Sequence, residues 1–78
     1  MELNSLREMV EFGSDVEFEY CGKQYVILPW TAQGILIAEQ HTENEAVYET
    51  YDDLLSRHIL DGMPFKDVAD KINITFHS

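Results

Sequence analysis

An α+β fold, with short helices packed on an antiparallel β-meander, is what the 78-residue chain predicts. Three observations carry that prediction. Val16, Phe18 and Tyr20 alternate with Asp15, Glu17 and Glu19, the period of a strand with one face buried. Two segments carry apolar residues at helical spacing, each opened by a hydroxyl side chain three residues ahead of an acid. The glycines punctuate these runs rather than interrupt them.

The first helix is expected over residues 5–12. Ser5 and Glu8 stand in the capping-box relation, where each side chain satisfies a free backbone N–H of the first turn. Leu6, Met9 and Val10 share a face, with Leu3 just ahead of them, and Gly13 closes the helix. A hairpin follows, with Cys21-Gly22 as its turn and residues 24–28 as the returning strand. Residues 29–34 read as a loop, 35–39 as a third strand, His41 to Glu45 as a polar loop and 46–50 as a fourth strand. Thr50 and Asp53 repeat the capping relation and open a second helix, with Leu54, Leu55, His58 and Ile59 inward until Asp61-Gly62 breaks it. Pro64 suits the first turn of a third helix, whose stripe is Phe65, Val68, Ala69 and Ile72. Ile74 and Phe76 alternate in a short last strand, giving the order α-β-β-β-β-α-α-β in a single domain spanning residues 1–78.

Composition bounds the function. Apolar residues make up 45% of the chain and aromatics 12%, enough to fold, although so small a core leaves a margin of roughly 3–5 kcal/mol. Fifteen acids against five Lys and Arg give a net charge of −10. Such a chain repels nucleic-acid phosphates and anionic membranes, so neither direct nucleic-acid binding nor membrane association is expected, and any partner is expected to be basic. The same acidity also serves solubility. Neither a signal peptide nor a membrane-spanning run is read in the sequence, and a cytoplasmic location is the default.

Strands two and three carry the most functional information. Residues 25–28 and 35–38 are apolar at every position, the pattern of strands that want cover on both faces. Whereas a three-residue loop with a bulge would exchange the faces of strand two, a two-residue turn at Cys21-Gly22 pairs Tyr20 with Lys23, Glu19 with Gln24, Phe18 with Tyr25 and Val16 with Ile27. The opposite face then holds Val26 and Leu28 beside Asp15, Glu17 and Glu19, with Trp30 just beyond. An apolar centre with a charged rim is the anatomy of a protein interface, and Trp is a favoured anchor. The partner-binding candidates are therefore Asp15, Glu17, Glu19, Val26, Leu28 and Trp30. Three alternatives stand: a basic partner covers this face, a second copy covers it in a homodimer, or the loop around Trp30 or a helix folds over it. Asp15, Glu17 and Glu19 lie about 6.6 Å apart by strand rise, so they read either as a solvated strand face or, with Glu39, Glu43, Glu45, Glu49, Asp52 and Asp53, as a mimic of nucleic-acid phosphates.

No catalytic or cofactor site is read. His41, His58 and His77 lack ligand-spaced neighbours, and His41 with Glu43 and Glu45 lacks the calcium-loop pattern. Cys21, the only cysteine, excludes an internal disulfide, and a turn flanked by glutamates does not activate a thiol. Neither a nucleophile elbow nor a phosphate loop is present. The expectation is a protein that is not an enzyme and needs no cofactor or metal. A small-ligand pocket near Trp30 is the remaining alternative.

Two fragments are similar to a known type. Phe18-Glu19-Tyr20-Cys21-Gly22-Lys23-Gln24-Tyr25 is similar to an F-x-Y-N-G-K-x-Y hairpin, with Cys21 where that pattern has asparagine. Tyr51-Asp52-Asp53-Leu54-Leu55, then Ile59-Leu60-Asp61-Gly62 and Phe65-Lys66-Asp67-Val68, is similar to a y-D-x-L-L … I-D-G-x-x-l-x-d-I tail. Together they resemble small uncharacterised accessory proteins of phages and mobile elements of Gram-positive bacteria. The resemblance implies no chemistry; it implies a small protein that binds and modulates a host or phage component.

Overall fold

The structure is a computed structural model and describes residues 3–77. Along the chain run α1 (Leu3–Phe12), β1 (Val16–Tyr20), β2 (Lys23–Thr31), β3 (Gly34–Glu39), β4 (Glu45–Tyr48), α2 (Tyr51–Arg57), β5 (Ile59–Leu60), β6 (Met63–Pro64), α3 (Phe65–Val68), a 3-10 turn (Ala69–Lys71) and β7 (Asn73–His77). The predicted α+β order holds, with a small β5–β6 hairpin added between the helices. Five strands form one antiparallel sheet in the order β4-β3-β2-β1-β7.

Helix α1 opens before the expected Ser5 cap, because neither residue 3 nor residue 4 is a proline or glycine that would stop it, and Ser5 lies inside the helix. The side chain of Leu3 lies outside the described residues. At the other end the Ser14 N–H donates to the Met9 carbonyl (3.0 Å) and the Gly13 N–H to the Val10 carbonyl (3.1 Å), the paired bonds of a Schellman cap.

The first hairpin has the predicted register, Val16 opposite Ile27 through Tyr20 opposite Lys23. Its turn holds Cys21 at φ 52° and Gly22 at φ 78°, the two positive dihedrals that match strand twist. The expected 29–34 loop is corrected: β2 runs on to Thr31, and only Ala32 and Gln33 make the turn into β3. The register slips between Leu28 and Thr31. Pro29 sits in that irregularity, where its missing N–H costs no ladder bond. The Thr31 hydroxyl donates to the Gly34 carbonyl and braces the turn. Strand β4 is also shifted from 46–50 to Glu45–Tyr48, since Thr50 is taken as a helix cap.

Helix α2 starts as its sequence predicts, with the Thr50 hydroxyl accepting from the Asp53 N–H at 3.1 Å. It ends at Arg57, earlier than expected. Asp61 and Gly62, at φ 55° and 77°, form a second tight hairpin turn and draw residues 59–60 into pairing with 63–64. Ile59 is consequently 58% exposed rather than inward, and Leu60 is buried in its place. Pro64 falls at the N-cap of α3, one position earlier than predicted, while Phe65, Val68, Ala69 and Ile72 are all buried as their spacing requires.

All the helices lie on one face of the sheet. Leu6 and Val10 of α1, Tyr51 and Leu54 of α2, and Phe65 and Val68 of α3 share a single core with Val16, Phe18, Ile27 and Ile37. Phe18 is its centre, stacked on Tyr25 (5.1 Å between centroids) and tilted against Phe65 (5.8 Å). The guanidinium of Arg7 lies 5.0 Å above the Tyr51 ring, and burial pushes the Tyr51 hydroxyl up to about 12. The edge strands are short, and β7 carries a bulge against β1, both common devices that discourage edge-to-edge pairing.

Candidate functional site

The register across the sheet defines the face turned away from the helices. Phe76, Glu17, Val26, Ala38 and Glu45 stand opposite one another on β7, β1, β2, β3 and β4. A second row runs Leu28, Leu36 and Val47, and a third pairs Asn73, Glu19 and Gln24. Residues of β2 that point this way stay half-buried although no helix packs on them, and Val47 and Phe76 are 40% and 50% exposed. The residues at 29–34 that could have folded over this face are strand and tight turn instead. Among the described residues, the core helices all pack on the opposite face, and Val26, Leu28, Leu36 and Ala38 on this one are half-buried by their neighbours in the sheet.

Of the sequence-predicted residues, Glu17, Glu19, Val26 and Leu28 come together on this face by register, and Asp15 and Trp30 meet at its end. The Trp30 indole N–H donates to the Asp15 carboxylate, yet the Trp30 ring is 63% exposed. Glu17 accepts from Gln40 Nε2 at 2.9 Å, and Glu19 from Gln24 Nε2 at 3.2 Å. The Glu17 and Glu19 carboxylates are therefore each oriented by a neutral amide donor that leaves the charge in place. The ion pairs Arg7–Glu11, Arg7–Asp52 and Arg57–Asp53 all sit on helices, away from this face. Of the acids proposed to extend a phosphate mimic, Glu45 shares the outer face by register, whereas Asp52 and Asp53 are on α2 beside arginines.

Several residues of this face escaped the sequence reading. Leu36 and Ala38 could have been found by carrying the hairpin register one strand further, since both lie in an all-apolar run. Phe76 could not. The bulge at Thr75, whose hydroxyl donates to the Glu17 carbonyl at 3.2 Å, sets Ile74 toward the core and Phe76 outward, correcting the simple alternation expected for β7. Gln24 and Gln40 carry no signal in sequence that separates a clamp from an ordinary polar residue.

The other candidates lie elsewhere. Cys21 is exposed in its turn. His41 lies in the β3–β4 loop at φ 66°, and no group of three or more metal-ligating side chains exists among the described residues. His58, expected on the inner helix side, is the C-cap of α2: its Nδ1 is 3.1 Å from the Tyr48 hydroxyl, it stands edge-on to Phe65, and burial lowers its pKa. A shallow cavity of about 360 Å³ opens beside it, lined by Lys23, Tyr25, Glu39, His58 and Asp61 among others; Trp30 is not part of it. Among the described residues, no helix is long and apolar enough to cross a membrane. Compared with known protein families, curated proteins and solved structures, the chain matches none.

Proposed function

We propose that this chain is a non-enzymatic binding protein that docks a basic partner protein on its outer sheet face and thereby modulates it. The observation that supports this most is the make-up of that face: Val26, Leu28, Leu36, Ala38 and Val47 form an apolar band, and Asp15, Glu17 and Glu19 border it along β1. The outer-face residues defined by the register include no lysine or arginine. A homodimer formed through this face would therefore bury carboxylates against a surface that offers no cation, at a cost of several kcal/mol per unpaired ion. A foreign partner with lysines or arginines removes that cost, which favours it over the homo-oligomeric alternative.

The resemblance to accessory proteins of phages and mobile elements narrows the partner class to a nucleic-acid-handling protein of the host cytoplasm, whose basic surface an acidic protein would block. Apolar contact carries more of this docking than phosphate mimicry, because the acids are divided between the two sides of the molecule. The test is capture from a Gram-positive host lysate at low and high salt, with wild type and the Glu17→Lys, Glu19→Lys double variant, alongside sedimentation. Wild type should sediment as a monomer and retain basic proteins in a salt-sensitive way, and the double variant should melt like wild type but lose them. Retention unaffected by charge reversal would refute the proposal. So would a wild-type dimer that Val26→Glu converts to a monomer.

A further inference from the structure

The shape of the outer face specifies more than the charge of its partner. Strands β1, β2 and β3 are paired on both sides, so this face presents side chains and no free backbone groups. An extended peptide adding to the sheet would have to use β4 or β7 at the edges, where it would extend the backbone ladder without covering the apolar side chains of β2 and β3. The apolar band crosses β2, β3 and β4, two strand spacings or about 10 Å, close to the 10–12 Å diameter of one α-helix. Along β2 the band runs from Val26 past Leu28 to Trp30, four residues or about 13 Å, close to the roughly 12 Å that eight residues of an α-helix cover.

The acid row has a matching period. Carboxylates two residues apart on a strand recur about every 6.6 Å, and side chains four apart on a helix recur about every 6.0 Å. Glu17 and Glu19 are already held in place by Gln40 and Gln24, and the indole of Trp30 fixes Asp15 at the end of the row.

From this juxtaposition we infer that the partner presents a basic amphipathic α-helix, lying along the strands over β2 and β3, with lysines or arginines at i and i+4 against Glu19 and Glu17. This rests on the reading of the outer face as the docking surface for a basic protein. The helix seats its apolar stripe between Val26, Leu28, Leu36 and Ala38, and Trp30 closes one end of the track.

The experiment titrates the whole protein with two synthetic peptides of about 18 residues, long enough to span it as a helix. In the first, leucines and lysines occupy adjoining stripes of one helix at helical period. The second has the same composition, with leucine and lysine alternating at period two. Amide chemical shifts of the protein report the site, and peptide circular dichroism reports helix formation. The helical peptide should gain helicity, shift amides of β1, β2 and β3, and bind at least tenfold more tightly than the alternating one. Glu17→Gln with Glu19→Gln should weaken it about tenfold without shifting the melting temperature. Equal binding of both peptides at this face would overturn the helix inference while leaving the basic-partner reading in place. Failure of both peptides to perturb outer-face amides would overturn the two together.

Discussion

Val26 and Ile27 are neighbours in β2 whose side chains point to opposite faces, so substituting each in turn measures whether the outer face is covered in solution. Ile27 is fully buried beside Val16 and Ile37, and Ile27→Ala should cost about 2–5 kcal/mol for the lost transfer energy and the cavity left behind. Against a total margin of roughly 3–5 kcal/mol, that change brings the protein close to its unfolding midpoint in water. Ile27→Val, at about 0.5–1.5 kcal/mol, keeps the comparison measurable if the alanine variant does not fold. Val26 is half-buried, outside the core, and flanked by Glu17 and Ala38. Val26→Thr keeps the β-branch and exchanges one methyl for a hydroxyl that water can reach, so it should cost less than about 1 kcal/mol. Urea unfolding followed by far-ultraviolet circular dichroism, at two protein concentrations tenfold apart, gives both values. If Val26→Thr costs as much as Ile27→Ala at both concentrations, the chain covers this face itself. If the cost appears only at the higher concentration, a second copy does. Either result refutes the open face.

Three further outcomes follow from particular residues. A Cβ at position 34 would meet the Tyr48 carbonyl oxygen at 2.5 Å, at a φ of +130°, so Gly34→Ala should destabilise by about 2 kcal/mol or more; an unchanged urea midpoint would mean that β3 and β4 are not so closely apposed. Cys21 holds a left-handed conformation that asparagine adopts more readily, so Cys21→Asn should be neutral or slightly stabilising, and the native thiol should react with a disulfide reagent without prior unfolding. Burial lowers the His58 pKa below its ordinary 6.5, so the unfolded chain takes up the proton first as pH falls. The His58 contribution is therefore fully present above pH 6.5, is lost as pH drops below it, and levels off once the folded histidine also protonates. His58→Gln should flatten this part of the stability profile between pH 8 and pH 5, and an unchanged slope would place the titrating group elsewhere.

What could be read from sequence was what short-range chemistry fixes. Given a two-residue turn at Cys21-Gly22, the partner of every residue in the first hairpin follows from the chain; the structure decides for that turn over a three-residue loop, which would have exchanged the faces of β2. The Thr50 cap and the Phe65, Val68, Ala69 and Ile72 stripe were equally local, and both formed as their spacing dictates. The misplacements occurred where a residue's state depends on a distant strand. Pro29 reads as a loop former until β3 pairs alongside β2 and the ladder slips to accommodate it. Ile59 reads as helical until the Asp61-Gly62 turn gives it a strand partner. Phe76 faces outward only because β7 bulges against β1, a pairing between segments nearly sixty residues apart. The open apolar face was the question that sequence left undecided. Periodicity assigns a residue to a face of its own element, but whether another layer covers that face depends on where every other element packs, and here all the helices pack on the other side.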